Sequence, residues 1–241
     1  MSSDAVAHAI RELVLANRIL AREDVIDDFG HVSLRHPERK DRYFLSRSRS
    51  PVAVTADDIM EFELDGTPVA QNGRRMYSER ALHSAIFMAR PDVTSVIHHH
   101  ARSVIPFTVV RTLQLKPIFH MGSVMGAEVP LWDSQPEFGD TNMLIDDLPR
   151  GHSLARALGG NRSVMLRGHG ACNVGVNLRA AVFTAVYMKH NAEMVLASLP
   201  HGTPEYLTPG EVEKTAAMLL SDMPLARAWD YWITRAGYGG V

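Results

Sequence analysis

A single cysteine, Cys172, in a chain of 241 residues excludes an internal disulfide framework and suits a reducing compartment. Aromatic residues are scarce at 7%. No uninterrupted apolar run nears the roughly 18–20 residues of a membrane span. Neither sign of charge dominates: 25 Lys and Arg against 27 Asp and Glu give a formal net charge of −2. Basic residues are scattered apart from the short stretch Arg35 to Arg49, so nothing marks a nucleic-acid or membrane binder. Met1 to Ile10 holds Asp4 and His8 where a secretory leader needs a long apolar segment. The expectation is a cytoplasmic protein. With 46% hydrophobic and 22% charged residues, the chain can bury a sizeable core.

What the chain has in plenty is histidine, 12 in all. Their setting follows from the order of elements. Val6, Ile10, Leu13, Val14 and Leu20 fall at helical spacing over 4–22, with Asp4 as the expected N-cap. A glycine-centred stretch, Asp28-Phe-Gly-His-Val-Ser-Leu-Arg35, comes next, then a short strand over 42–45 and a Ser/Arg/Pro loop over 46–51. Thr55 with Asp58 reads as a capping box, and Asp65-Gly66 as a turn. Helices are expected over 80–89, 150–158 and 179–196, and another opening at Thr208-Pro209-Gly210-Glu211. Val93 to His98 and Ser163 to Leu166 read as strands. Helices and strands interleave without repeats or a linker, which implies one α/β domain over 1–241 with a helical extension from about 205.

Val96-Ile97-His98-His99-His100 is the strongest local feature. On a strand, alternation sends His98 and His100 to one face and His99 to the other. Two such imidazoles, roughly 6.7 Å apart along the strand, can converge on one cation through bonds of about 2.0–2.1 Å. Leu166-Arg-Gly-His-Gly170 offers a third imidazole, His169, with glycines on both sides that allow close approach. Three histidines leave coordination positions open, as a catalytic site requires. A carboxylate is needed as fourth ligand or proton shuttle, and Ser78-Glu79 stands at the start of the expected helix over 80–89. Taken alone, Glu79 reads equally as an acid favoured by the helix dipole.

The order of these motifs resembles the class II aldolase/adducin family: glycine loop, Ser-rich loop, Ser-Glu at a helix start, strand ending His-x-His, and later Gly-His-Gly. The resemblance spans roughly residues 5–200. It implies a single-domain, three-layer α/β/α fold and a homotetramer with active sites at subunit interfaces. It also implies one divalent metal ion per subunit on His98, His100 and His169, with Glu79 as the acid/base. His₃ with a carboxylate suits zinc, manganese, cobalt or iron alike. Adducin-like binding domains of this fold typically lack the complete ligand set, so the four residues together favour an enzyme.

Two departures point away from sugar phosphates. The aldolases of the family hold phosphate with a Thr-Pro-Ser-Gly loop and a Ser-Ser pair before the glutamate. Here Leu45-Ser-Arg-Ser-Arg-Ser-Pro51 and Tyr77-Ser78 stand in those places, and His31 replaces the asparagine of the glycine loop. Arginine forks match planar carboxylates, so Arg47 and Arg49, flanking Ser48, are expected to bind an acidic substrate. Tyr77 is expected to stack on or hydrogen-bond to an aromatic ring. Ala101-Arg-Ser-Val-Ile-Pro-Phe107 and Pro117-Ile-Phe-His-Met-Gly122 resemble the family's aromatic decarboxylases, among them 3,4-dihydroxyphthalate decarboxylase and 3-hydroxy-2-methylpyridine-4,5-dicarboxylate decarboxylase. The implied reaction is metal-dependent decarboxylation of an ortho-hydroxylated aromatic dicarboxylate. Glu79 or His31 would give the proton, and Ser78 and His120 would line the pocket. An aldolase acting on a hydroxy-carbonyl substrate is the alternative enzyme, and an adducin-like interaction domain the alternative outside catalysis.

Overall fold

The computed structural model describes residues 3–238. The first helix, α1 (Asp4–Arg22), turns Ala9, Leu13, Ala16, Ile19 and Leu20 inward, which follows its apolar spacing. Its N-cap is Ser3 rather than Asp4: the Ser3 hydroxyl accepts the Val6 N–H at 3.2 Å, and Asp4 lies in the first turn, where the helix dipole favours an acid. Strands β1 (His31–Arg35), β2 (Arg42–Ser46) and β3 (Ile59–Glu63) follow, then α2 (Arg80–Ala89) and β4 (Ser95–His99). Short helices α3 (Ile105–Val109) and α4 (Gln135–Phe138) bracket the edge strand β5 (Leu131–Trp132). Then come α5 (Leu148–Leu158), β6 (Ser163–Leu166), β7 (Gly170–Gly175) and the long α6 (Leu178–Ser198). The described chain ends with α7 (Pro209–Leu219) and α8 (Asp222–Arg235).

The seven strands form one mixed sheet in the order β3-β2-β1-β4-β7-β6-β5, antiparallel except for the β5–β6 pair. Period-two alternation divides its side chains between two cores. Val32, Phe44 and Ile97 pack toward α1, α6 and α8, whereas Tyr43, Leu45, Val96 and Cys172 pack toward α2 and α5. The expected α/β/α layering is therefore present.

Several elements end where local chemistry dictates. Asp147 and Asn177 cap α5 and α6, and Thr208 with Glu211 forms the expected capping box of α7. The last helix packs into the same core: Trp229 and Trp232 of α8 are 1% and 3% exposed beside α1 and α6. Trp232 lies 5.8 Å from Phe183 and 6.2 Å from Tyr187 between ring centres. The tryptophans thus serve their own core, and only Tyr231, 56% exposed, faces outward.

Candidate metal centre and its cavity

Register and alternation assemble the site. His31 of β1 pairs with His98 of β4, which in turn pairs with Cys172 of β7. All three project to the α2 side of the sheet, like their strand neighbours Ser33, Val96 and Val174. His99 points to the opposite side, where its Nε2 lies 2.9 Å from Asn173 Oδ1. His100 follows the end of β4 and turns back, so that its Nε2 lies 3.0 Å from His98 Nε2. His169 occupies the β6–β7 turn, its ring centre 4.8 Å from that of His98 and stacked on His100 at 5.1 Å. Gly168 adopts φ +63° in this turn, and a Cβ on Gly170 would meet the His99 carbonyl oxygen at 2.1 Å. Both glycines are what let the turn fold over β4.

Glu79 caps the start of α2 but makes no capping hydrogen bond through its side chain. Its carboxylate turns into the site instead. Oε1 accepts the Ile145 N–H at 3.1 Å and lies 3.8 Å from His169 Nε2, and Oε2 lies 3.6 Å from His98 Nε2. One donor atom from each of Glu79, His98, His100 and His169 falls within 4.8 Å of the others.

The donor set fits a divalent cation. Nitrogens 3.0 Å apart suit two bonds of about 2.0–2.1 Å to one ion. Burial, reinforced by the neighbouring histidines, holds His98 well below the ordinary imidazole pKa, and burial brings His169 to about 4. Both are therefore neutral near pH 7, the state in which imidazole binds metal. Burial also pushes the Glu79 carboxyl above its ordinary value.

The cluster opens into a cavity of about 560 Å³. His31, Ser48, Arg49, Tyr77, Ser78 and Glu79 line it as the sequence suggests. Phe29 and Ser50, from the glycine and arginine loops, and Met76 and Leu144 add walls that were not among the expected site residues. His31 is held in place by a buried chain. Its Nδ1 is 2.7 Å from His83 Nε2, and Ser33 Oγ is 2.6 Å from His83 Nδ1. The Tyr77 ring packs 4.5 Å from His31, and its hydroxyl donates to the Arg49 carbonyl, so the phenol is already engaged within the chain.

The two arginines part company. Arg47 donates through Nε to Asp58 at 2.5 Å and does not line the cavity. Arg49 also meets Asp58, at 3.0 and 3.1 Å, but through Nη1 alone. Its Nε and Nη2 have no partner among the described residues, and Arg49 lines the cavity. Asp58 also accepts the Thr55 N–H and hydroxyl at 2.9 Å each, which makes the expected capping box the anchor of the arginine loop. His120 is exposed and does not line the cavity; its ring neighbour is Phe119.

The sequence reading missed Asp27, Asp58 as the arginines' partner, and His83. Asp27 and His83 reach partners 73 and 52 residues away, and Asp58 meets the arginines over 9–11 residues of irregular loop, so no periodic spacing revealed them.

Residues 11–196 match the profile of the Class II Aldolase and Adducin N-terminal domain. The chain belongs to this family. Among curated members, decarboxylase tropJ of Talaromyces stipitatus is 30% identical over 256 residues, spanning 96% of this chain and 95% of the relative. A 3,4-dihydroxyphthalate decarboxylase of Terrabacter sp. is 28% identical, spanning 95% and 98%. The crystal structure of an aldolase II superfamily protein from Pseudomonas syringae superposes with a TM-score of 0.82 at 22% identity, covering 99% of this chain and 96% of that one. That likeness establishes the family fold. Among the described residues, no helix is long and apolar enough to cross a membrane.

Proposed function

We propose that this family member is a metal-dependent carbon–carbon lyase, and specifically a decarboxylase of an ortho-hydroxylated aromatic dicarboxylate, with 3,4-dihydroxyphthalate as the first substrate to try. The observation that carries the reading is the make-up of the cavity: four residues that could hold a metal at one end, Arg49 in the wall with its Nε and Nη2 unpaired among the described residues, and His31, Tyr77 and Phe29 around them. The decarboxylase names of tropJ and the Terrabacter relative support it.

A divalent cation held by His98, His100 and His169 would supply Lewis acidity to the bound aromatic acid. The chain's own residues do the rest. Arg49 pairs with the spectator carboxylate and fixes the ring in the cavity. The neutral His31 ring, steadied by His83, offers a hydrogen bond to the bound ring's substituents. As CO₂ departs, the bond pair returns to the ring carbon, and the Glu79 carboxyl, raised by burial, gives that carbon its proton. Glu79 then regains a proton from solvent. The proposal extends to a homotetramer, which the family resemblance implies, with a neighbouring subunit completing the cavity mouth, and to a cytoplasmic location, which the single cysteine suits.

Incubation of metal-loaded protein with 3,4-dihydroxyphthalate is expected to release one CO₂ per ring. A parallel incubation with L-fuculose 1-phosphate is expected to give no aldehyde. Rapid aldehyde formation without CO₂ from any aromatic acid would overturn the reading in favour of an aldolase.

A further inference from the structure

One charged group touches the histidine cluster without entering the chemistry above. Asp27 lies in the turn between α1 and β1, where its Oδ1 accepts the N–H groups of Phe29 and Gly30 at 2.9 Å each. The same carboxylate stands 3.1 and 3.2 Å from His100 Nδ1. An ionised carboxylate can only accept, so His100 carries its hydrogen on Nδ1. Nε2 is thereby left bare, and Nε2 is the nitrogen turned toward His98.

The other two histidines are oriented the same way by weaker means. The Met143 carbonyl oxygen lies 3.1 Å from His169 Nδ1, and Cys172 Sγ lies 3.6 Å from His98 Nδ1. Of the three acceptors only Asp27 is charged, and a charge-assisted bond is roughly twice as strong as a neutral one. Asp27 also belongs to the segment that carries Phe29 and His31: the two N–H bonds it accepts shape the turn that brings them to the cavity.

We propose that Asp27 is a positioning residue that presets His100 as an Nε2 ligand and ties the Phe29–His31 segment to the metal centre. The inference rests on the metal-centre reading above and adds a residue that this reading does not need.

The test is metal affinity, measured with Zn²⁺ by chelator competition and with Co²⁺ by its visible absorption. Asp27→Ala should bind about 10- to 100-fold more weakly, the usual cost of losing a partner to a ligating histidine. Its Co²⁺ spectrum should change with the altered His100 geometry. Asp27→Asn keeps an acceptor oxygen but not the charge, and should weaken binding several-fold. Wild-type affinity in both variants would overturn the proposal, because Asp27 would then only shape the turn. If Asp27→Ala fails to fold, Asp27→Asn decides alone: several-fold weaker binding supports the proposal, and unchanged affinity refutes it. Absence of Zn²⁺ binding by the unmodified protein would instead refute the metal centre itself, and Asp27's role with it.

Discussion

His83 sits beneath His31, its Nε2 2.7 Å from His31 Nδ1, and neither ring reaches solvent beyond 1% exposure. His83 Nδ1 in turn meets Ser33 Oγ at 2.6 Å, so the chain ends inside the protein rather than in water. Such a chain orients a ring and cannot conduct protons from solvent. Replacing His83 by leucine should orphan His31 Nδ1 and cost on the order of 1–3 kcal/mol of stability. With His31 free to turn, KM for the aromatic acid should rise more than kcat falls. Urea unfolding and steady-state kinetics check both effects, and an unchanged KM would remove His83 from the site.

Much of the fold was legible because periodicity and caps are local. The long helices, the strand before the histidines and the α7 capping box all stand where spacing put them. Strands β1 and β7 were not legible. β1 was hidden by the polar residues His31, Ser33 and Arg35, and β7 is bounded by Gly170 and Gly175, which weaken any strand pattern. The four residues of the candidate cluster were readable because His98 ends a strand with His100 just beyond it, and Glu79 and His169 sit at marked turns. Arg47 and Arg49 looked equivalent, since only the fold brings Asp58 between them.

The metal assignment separates three neighbouring histidines. His98→Ala and His169→Ala should purify without bound metal, whereas His99→Ala should keep about one ion per chain, because its ring faces Asn173. His99→Ala should nevertheless lose about 1–3 kcal/mol of stability by leaving the buried Asn173 amide short of a partner. Elemental analysis with chemical denaturation distinguishes these outcomes. Full occupancy in the His98 and His169 variants would rule out the centre.

The arginines should also separate. Arg49→Ala removes the free guanidinium edge at the cavity wall and should weaken dicarboxylate binding by about 1.5–3 kcal/mol, roughly ten- to a hundred-fold. Arg47→Ala should leave KM within a few-fold and show chiefly as a lower unfolding midpoint, since its bond to Asp58 fastens the loop. Equal effects on KM would mean that Arg47 also reaches the substrate. Titration calorimetry with a non-reactive phthalate provides the comparison.

Acid should begin to destabilise the metal-free protein above the carboxylate range. Burial lowers His83 from 6.5 to about 3 and His99, despite its Asn173 bond, to about 4. As pH falls below 6.5 the unfolded chain takes up protons on these rings while the folded chain does not. Their contribution is therefore complete above that pH and is lost progressively toward 3–4, with a slope of about 1.4 kcal/mol per pH unit for each ring. Asp58 acts in a lower window. Burial opposes its ionisation, but Arg47, Thr55 and Arg49 outweigh it, so its stabilisation persists until pH drops beneath the ordinary aspartate value of 3.8. Urea midpoints from pH 7 to 4.5 should fall steadily, and His83→Leu should flatten the slope. A constant midpoint would contradict neutral buried rings.

Glu79 gives the sharpest division between binding a metal and using it. Glu79 is 8% exposed, and its carboxylate accepts the Ile145 N–H and lies 3.6 and 3.8 Å from two histidine nitrogens, without contributing a cap to its own helix. Glutamine keeps the size and the acceptor for Ile145 but cannot give up a carboxyl proton. Three histidines remain to hold the ion, so Glu79→Gln should retain most of its metal and its affinity for the aromatic acid. Turnover should fall about 10²- to 10⁴-fold, the range expected when a positioned acid is lost. If turnover is governed instead by the ion alone, kcat will stay within a few-fold of the parent. The proton would then have to come from elsewhere, with His31→Gln as the next variant to measure.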